Sequence, residues 1–144
     1  MKNKIIIIVI VFLIMLSVVT YMIYNYRKGV IESQEVNESY KAYYNKQILG
    51  TELISIINRT VDLNEQNGIL KDNDGVYIEN EENSIKIYIN FKYKDDYETV
   101  AMEKIYNTGT ENFRKTYSSA SFTCSEISYH EKTNNVKALT FTET

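Results

Sequence analysis

The sequence predicts an α+β protein: a long N-terminal helix, a membrane span continuing as an amphipathic helix, packed on an antiparallel β-sheet of about five strands with a short helix. Three observations carry this. An apolar run opens the chain and passes into residues at helical spacing. The hydrophobic period then changes to two in "SIKIYINFKY". The chain closes on two β-rich stretches separated by a turn-rich "EKTNN".

The first element is the apolar run from Ile5 to Ile23, broken only by Ser17, Thr20 and Tyr21. As a helix it spans about 28 Å, close to the thickness of a bilayer core. Its Ile, Val, Leu and Phe residues favour insertion by roughly 4 to 8 kcal/mol. Cleavable signal peptides have a shorter apolar stretch, about 7 to 15 residues, followed by small residues. Here Ser17-Val18-Val19-Thr20 makes a poor cleavage site, so the segment reads as a retained anchor. Tyr21, Tyr24 and Tyr26 meet Arg27 and Lys28 at its end, the composition of an interfacial belt with snorkelling cations. The organisation is therefore a cytoplasmic head over 1–4, a transmembrane helix over 5–26 and an extracytoplasmic α+β domain over 27–144. Lys2, Lys4 and the terminal amine stand against Arg27 and Lys28, which orients the N-terminus to the cytoplasm.

Beyond the span, Glu32 to Ser39 is polar and reads as a solvated stalk. Val36, Tyr40, Tyr43, Tyr44 and Ile48 recur at helical spacing, and Leu53, Ile54, Ile57 and Val61 do so again. The step between the two sets crosses Gly50, where a kink or break is expected. Asn67-Gly68 supplies a C-terminal cap.

In "SIKIYINFKY", Ile85, Ile87, Ile89, Phe91 and Tyr93 share one face of a half-buried strand. "DGVYIEN" before it and "YETVAME" after it complete a meander, with "NEEN" and "KDD" as turns. "GTENFRKTYSSA" predicts a short helix with Phe113 and Tyr117 on one side. "FTCSEISYH" and "VKALTFTE" form a hairpin, and the facing pattern slips between Cys124 and Ile127, which places a bulge near Ser125.

Composition narrows the function classes. A net charge of −3 with dispersed cations argues against nucleic-acid binding, which needs a basic patch. The single cysteine, Cys124, forms no intrachain disulfide and no Cys-cluster metal site, and reads as a small buried hydrophobe on a strand. His130 is the only histidine, without a neighbouring nucleophile or orienting partner in the sequence, and reads as an exposed or hairpin-edge residue. Asp72, Asn73 and Asp74 resemble hard-cation ligands, but counting back from Gly75 as the sixth loop position puts Leu70 where an EF-hand needs its first aspartate. That stretch reads as a turn. Walker, dinucleotide, G-x-S-x-G and HExxH motifs are absent. Asn37 in "NES" and Asn58 in "NRT" fit the glycosylation tripeptide, a chance pattern in an Asn-rich chain. Lys86, Lys92, Glu98 and Glu103 read as a solvated face with cross-strand pairs. No catalytic, cofactor-binding or metal-binding residue is assigned, and no enzymatic activity or cofactor is expected.

A short basic head, an apolar helix continued by an amphipathic one, and then an antiparallel sheet resemble the type IV pilin and pseudopilin plan over nearly the whole chain. "ILGTELISIINRTVDLNEQNG", "NSIKIYI", "NFRKTYSSASFTCSEISYHEKT" and "VKALTFTE" are also similar to small membrane-anchored clostridial proteins. The pilin likeness implies apolar stems bundled in a filament or assembly platform. Prepilins carry a glycine before the apolar segment and a glutamate early in the mature chain; here Asn3-Lys4 precedes Ile5 and no acid occurs before Glu32. The sequence thus points to a single-pass, non-enzymatic bacterial protein, a pilin-like subunit or accessory part of a cell-surface or secretion assembly. The alternative is an anchored extracytoplasmic binding or regulatory domain. The expected partners are the membrane and either further copies of the chain or another envelope protein.

Overall fold

With no proline to interrupt it and a dense run of apolar residues, the N-terminal segment forms one helix, α1 (Lys2–Lys41). A computed structural model describes residues 2–94 and 96–144; Met1, in the basic head, and Asp95, in the "KDD" turn, lie outside the described residues, as do the side chains of Lys2 and Asn3. After α1 come β1 (Gln47–Leu49), α2 (Gly50–Gln66), β2 (Lys86–Tyr93), β3 (Asp96–Ala101), α3 (Met102–Asn107), α4 (Thr110–Tyr117), β4 (Ser121–Tyr129) and β5 (Val136–Glu143). The chain divides into two compact units, Met1–Val36 and Asn37–Thr144.

In the first unit every described side chain from Lys4 to Glu35 is exposed. Two hydroxyls of its apolar stretch are satisfied within the helix itself. Ser17 Oγ donates to the Ile14 carbonyl at 2.7 Å, and Thr20 Oγ1 to that of Leu16 at 2.8 Å. At the end of the stretch Asn25 Nδ2 donates to the Tyr21 carbonyl at 3.0 Å.

In the second unit, the last residues of α1 are stitched to the core. Tyr40 is 1% exposed, and its hydroxyl lies 2.7 Å from Thr60 Oγ1. Because Thr60 gives its own proton to the Ile56 carbonyl, Tyr40 is the donor between them. Asn37 Oδ1 accepts the Val136 amide at 2.7 Å while its Nδ2 donates to Asn135 Oδ1.

The helix was expected to run on to a kink or break at Gly50. It stops earlier, at Lys41; Asn45 takes a positive φ of 57°, and β1 joins the sheet edge beside β4. Gly50 instead opens α2, and its reason is space: a Cβ there would lie 1.9 Å from the Tyr117 carbonyl oxygen. Leu53, Ile54, Ile57 and Val61 bury one stripe of α2, as their spacing predicts. At its end Asn67-Gly68 forms a Schellman cap: Gly68 has φ +67° and donates to Glu65, while Ile69 donates to Asn64.

The sheet has strand order β1-β4-β5-β2-β3. Three neighbouring pairs are antiparallel, but β2 and β5 are parallel, so the sheet is mixed where an antiparallel one was expected. Alternation fixes which face a residue takes and carries no strand direction, which is why the sequence reading missed this. Ile87 and Ile89 of β2, Phe122 and Cys124 of β4, and Leu139 and Phe141 of β5 are all fully buried. Phe91, Phe113, Tyr117 and Phe122 make an aromatic cluster, with Phe91 and Tyr117 centroids 4.8 Å apart. The β4–β5 register shifts between Cys124 and Glu126, where the bulge was placed. "DGVYIEN" is no strand: one Lys71–Tyr77 bridge closes a tight loop. "YETVAME" is strand only to Ala101, after which α3 begins.

Candidate functional site

Two polar constellations in the Asn37–Thr144 unit are built tightly enough to invite a functional reading. The first is where the 80–84 turn meets the β4–β5 turn. Asn80 Oδ1 accepts the amides of Glu82, Asn83 and Ser84 at 2.9 to 3.1 Å, so one side chain shapes the whole "NEEN" turn. The Glu82 carbonyl then accepts from Thr133 Oγ1 at 2.7 Å and from Asn135 Nδ2 at 3.0 Å. Lys132 reaches the Glu82 carboxylate at 2.7 Å. The hydrogen bond between them holds the Glu82 carboxyl below its ordinary range and pushes the Lys132 ammonium up, with the charge attraction second in each.

His130 closes this clamp. Its Nε2 is 2.8 Å from the Ser84 carbonyl, which can only accept, so Nε2 carries a proton. The ring is at the end of β4 as expected, but it is 3% exposed rather than solvent-facing. A histidine with a carbonyl partner is cheap to bury, and no spacing in the sequence brings Ser84 to it. Beside it lies a cleft of about 510 Å³ lined by residues that include Glu79, Glu81, Tyr129, His130, Lys132 and Lys137. Lys137 pairs with Glu79 and Lys132 with Glu82, so the cations of this wall are engaged by protein carboxylates.

The second constellation is a buried ion pair that sequence reasoning placed on a solvated face. Lys86 Nζ is 2.7 Å from Glu103 Oε1, and the two residues are 7% and 2% exposed. The same oxygen accepts the Tyr77 amide at 3.2 Å. Tyr77 in turn hydrogen-bonds through its hydroxyl to the Val61 carbonyl and to Glu65, which joins β2, α3, α2 and the 69–78 loop at one point. Lys86 lies at the start of β2, before its pairing with β3 begins at Tyr88–Ala101, so alternation misplaces it. Lys92 and Glu98 are exposed, as expected of a solvated face.

The polar side of the sheet carries a row of side chains linked across four strands. Thr99 Oγ1 donates to Asn90 Oδ1 at 2.7 Å, Asn90 Nδ2 to Thr142 Oγ1 at 3.2 Å, and Thr142 meets Ser125 at 3.1 Å. Such pairs stabilise the sheet. The other residues weighed in the sequence have structural places. Asp72 Oδ1 accepts the Asp74 and Val76 amides, each at 2.9 Å, and Gly75 has φ +77°, which makes the Asp72–Gly75 stretch a turn. Cys124 is fully buried, and burial pushes its thiol up to about 11, far from a reactive thiolate. Among the described residues no three His, Cys, Asp or Glu side chains are grouped to hold a metal ion.

The only helix of bilayer length and apolarity among the described residues is α1, near the N-terminus. Comparison with protein-family models, with curated proteins and with solved structures gave no match.

Proposed function

We propose that this is a retained single-pass membrane protein without enzymatic activity, with its N-terminus in the cytoplasm and the Asn37–Thr144 unit outside, acting as an accessory component of a cell-surface or secretion assembly. The observation that carries this reading is the state of α1. From Ile5 to Ile23 its large apolar side chains are all exposed, 47% or more for each, while the Ser17 and Thr20 hydroxyls are bonded within the helix. In water such a surface is untenable; in hydrocarbon the Ser17 and Thr20 hydroxyls stay satisfied, and Tyr21 lies towards the interfacial end of the run. A signal sequence shares the length and apolarity, and the poor cleavage site at Ser17-Val18-Val19-Thr20 favours retention.

Among assembly roles, a pilin-like filament subunit is the sharper version, supported by the order of basic head, apolar helix and sheet. The missing early glutamate favours an accessory part over a filament subunit. A second reading, an anchored binding module, is favoured by the polar row Thr99–Asn90–Thr142–Ser125 on the sheet.

Cysteine crosslinking separates these. In a Cys124→Ala background, single cysteines along Ile5 to Ile23 yield regular self-ladders for a filament subunit. An accessory component gives discrete crosslinks to a second envelope protein. A solitary module gives at most a dimer. Labelling of an engineered cysteine at exposed Lys115 by a membrane-impermeant reagent on intact cells is expected, and protection there contradicts the proposed orientation.

A further inference from the structure

Among the described residues one buried side-chain polar atom has no protein partner, the Oε2 of Glu103. Its neighbour Oε1 is served twice, by Lys86 Nζ and by the Tyr77 amide. The Lys86 ammonium has three protons and gives one to Glu103 Oε1, its hydrogen bond in the structure. A buried carboxylate oxygen left bare costs more than a bare neutral group would, whereas unfilled acceptor and donor sites side by side suit a bridging molecule that both accepts and donates.

We infer that the Lys86–Glu103 joint holds one internal water, donating to Glu103 Oε2 and accepting from Lys86 Nζ. A metal cation is excluded here by the ammonium, which already holds the carboxylate and would repel a second positive charge. An anion is excluded by the bare carboxylate oxygen. A neutral molecule with a donor and an acceptor satisfies both, and water is the smallest one. Protonating Glu103 does not replace it, because an O–H at Oε2 would be a buried donor lacking an acceptor in place of a buried acceptor lacking a donor. The water completes a polar joint in which β2, α3 and the Tyr77 loop meet, so the ion pair is hydrated at its inner end while the residues themselves stay buried.

Two measurements on the full chain in detergent test this. A crystal structure at a resolution that places ordered solvent should show a water within hydrogen-bond distance of both Glu103 Oε2 and Lys86 Nζ. A bare Oε2, or a protein donor repacked onto it, overturns the inference. Independently, water-oxygen magnetic relaxation dispersion counts long-lived internal waters. The Lys86→Met/Glu103→Leu double variant, whose apolar pair offers no partner, should lose one relative to the native chain, and an unchanged count overturns the inference equally.

Discussion

Lys86 and Glu103 show what single residues decide in this fold. Removing one member of a buried pair leaves an uncompensated charge, a loss of about 3–5 kcal/mol, while replacing both by apolar groups is often neutral or stabilising. Lys86→Met and Glu103→Leu alone should therefore each lower unfolding stability by about that amount, and the double variant should recover most of it. Denaturant titration of all four proteins checks the cycle; additive losses would contradict it. Cys124 supplies a pH test. Its folded thiol is raised to about 11 from an ordinary 9.0, so the stability from keeping it neutral is whole below pH 9 and is lost as pH rises towards 11. Cys124→Ala should flatten the alkaline fall of stability between those values. Burial also raises the Tyr40 hydroxyl, which contributes in the same alkaline direction and remains in the variant.

The elements were legible in proportion to how local their causes are. The period-two pattern of β2, the Asn67-Gly68 cap of α2, the bulge near Ser125 and the burial of Cys124 all follow from spacing within a few residues. The early stop of α1, the parallel β2–β5 pairing and the carbonyl that His130 finds depend on partners distant in sequence. Gly50 belongs with these. It was noticed as a weak point in a helix, whereas its role is to let α2 start against the Tyr117 carbonyl. Gly50→Ala should cost about 1–3 kcal/mol as an overpacking strain, although alanine is the better helix former by about 1 kcal/mol. Thermal unfolding with the sign reversed, Gly50→Ala stabilising, would show that propensity outweighs contact here. At the other end of the α1–α2 link, Tyr40→Phe should cost about 1 kcal/mol by removing the hydrogen bond to Thr60, and a larger fall would mean that the ring itself repacks.

For the whole molecule, the decisive asymmetry is between a unit with an enclosed apolar core and a helix whose apolar side chains are exposed. The Asn37–Thr144 unit has a core of ordinary kind, with Leu53, Ile57, Ile87, Ile89, Leu139 and Phe141 fully enclosed. From Ile5 to Ile23 every large apolar side chain of α1 is exposed. A single lysine at Ile14 should weaken insertion by about 2.5 to 3.5 kcal/mol, a large part of its preference for the bilayer, read as a larger carbonate-extractable fraction than in the native protein, with the folded unit unaffected by circular dichroism. The candidate polar sites were less legible than the apolar helix, because the helix is contiguous in sequence and the sites are assembled by the fold. The central claim, that this helix is retained, is tested most directly by the intact mass of the protein recovered from the membrane fraction of its source cell. The account predicts a mass that includes all of Ile5 to Ile23. A mature chain beginning within or after Ser17–Tyr26 and recovered without membrane would contradict it.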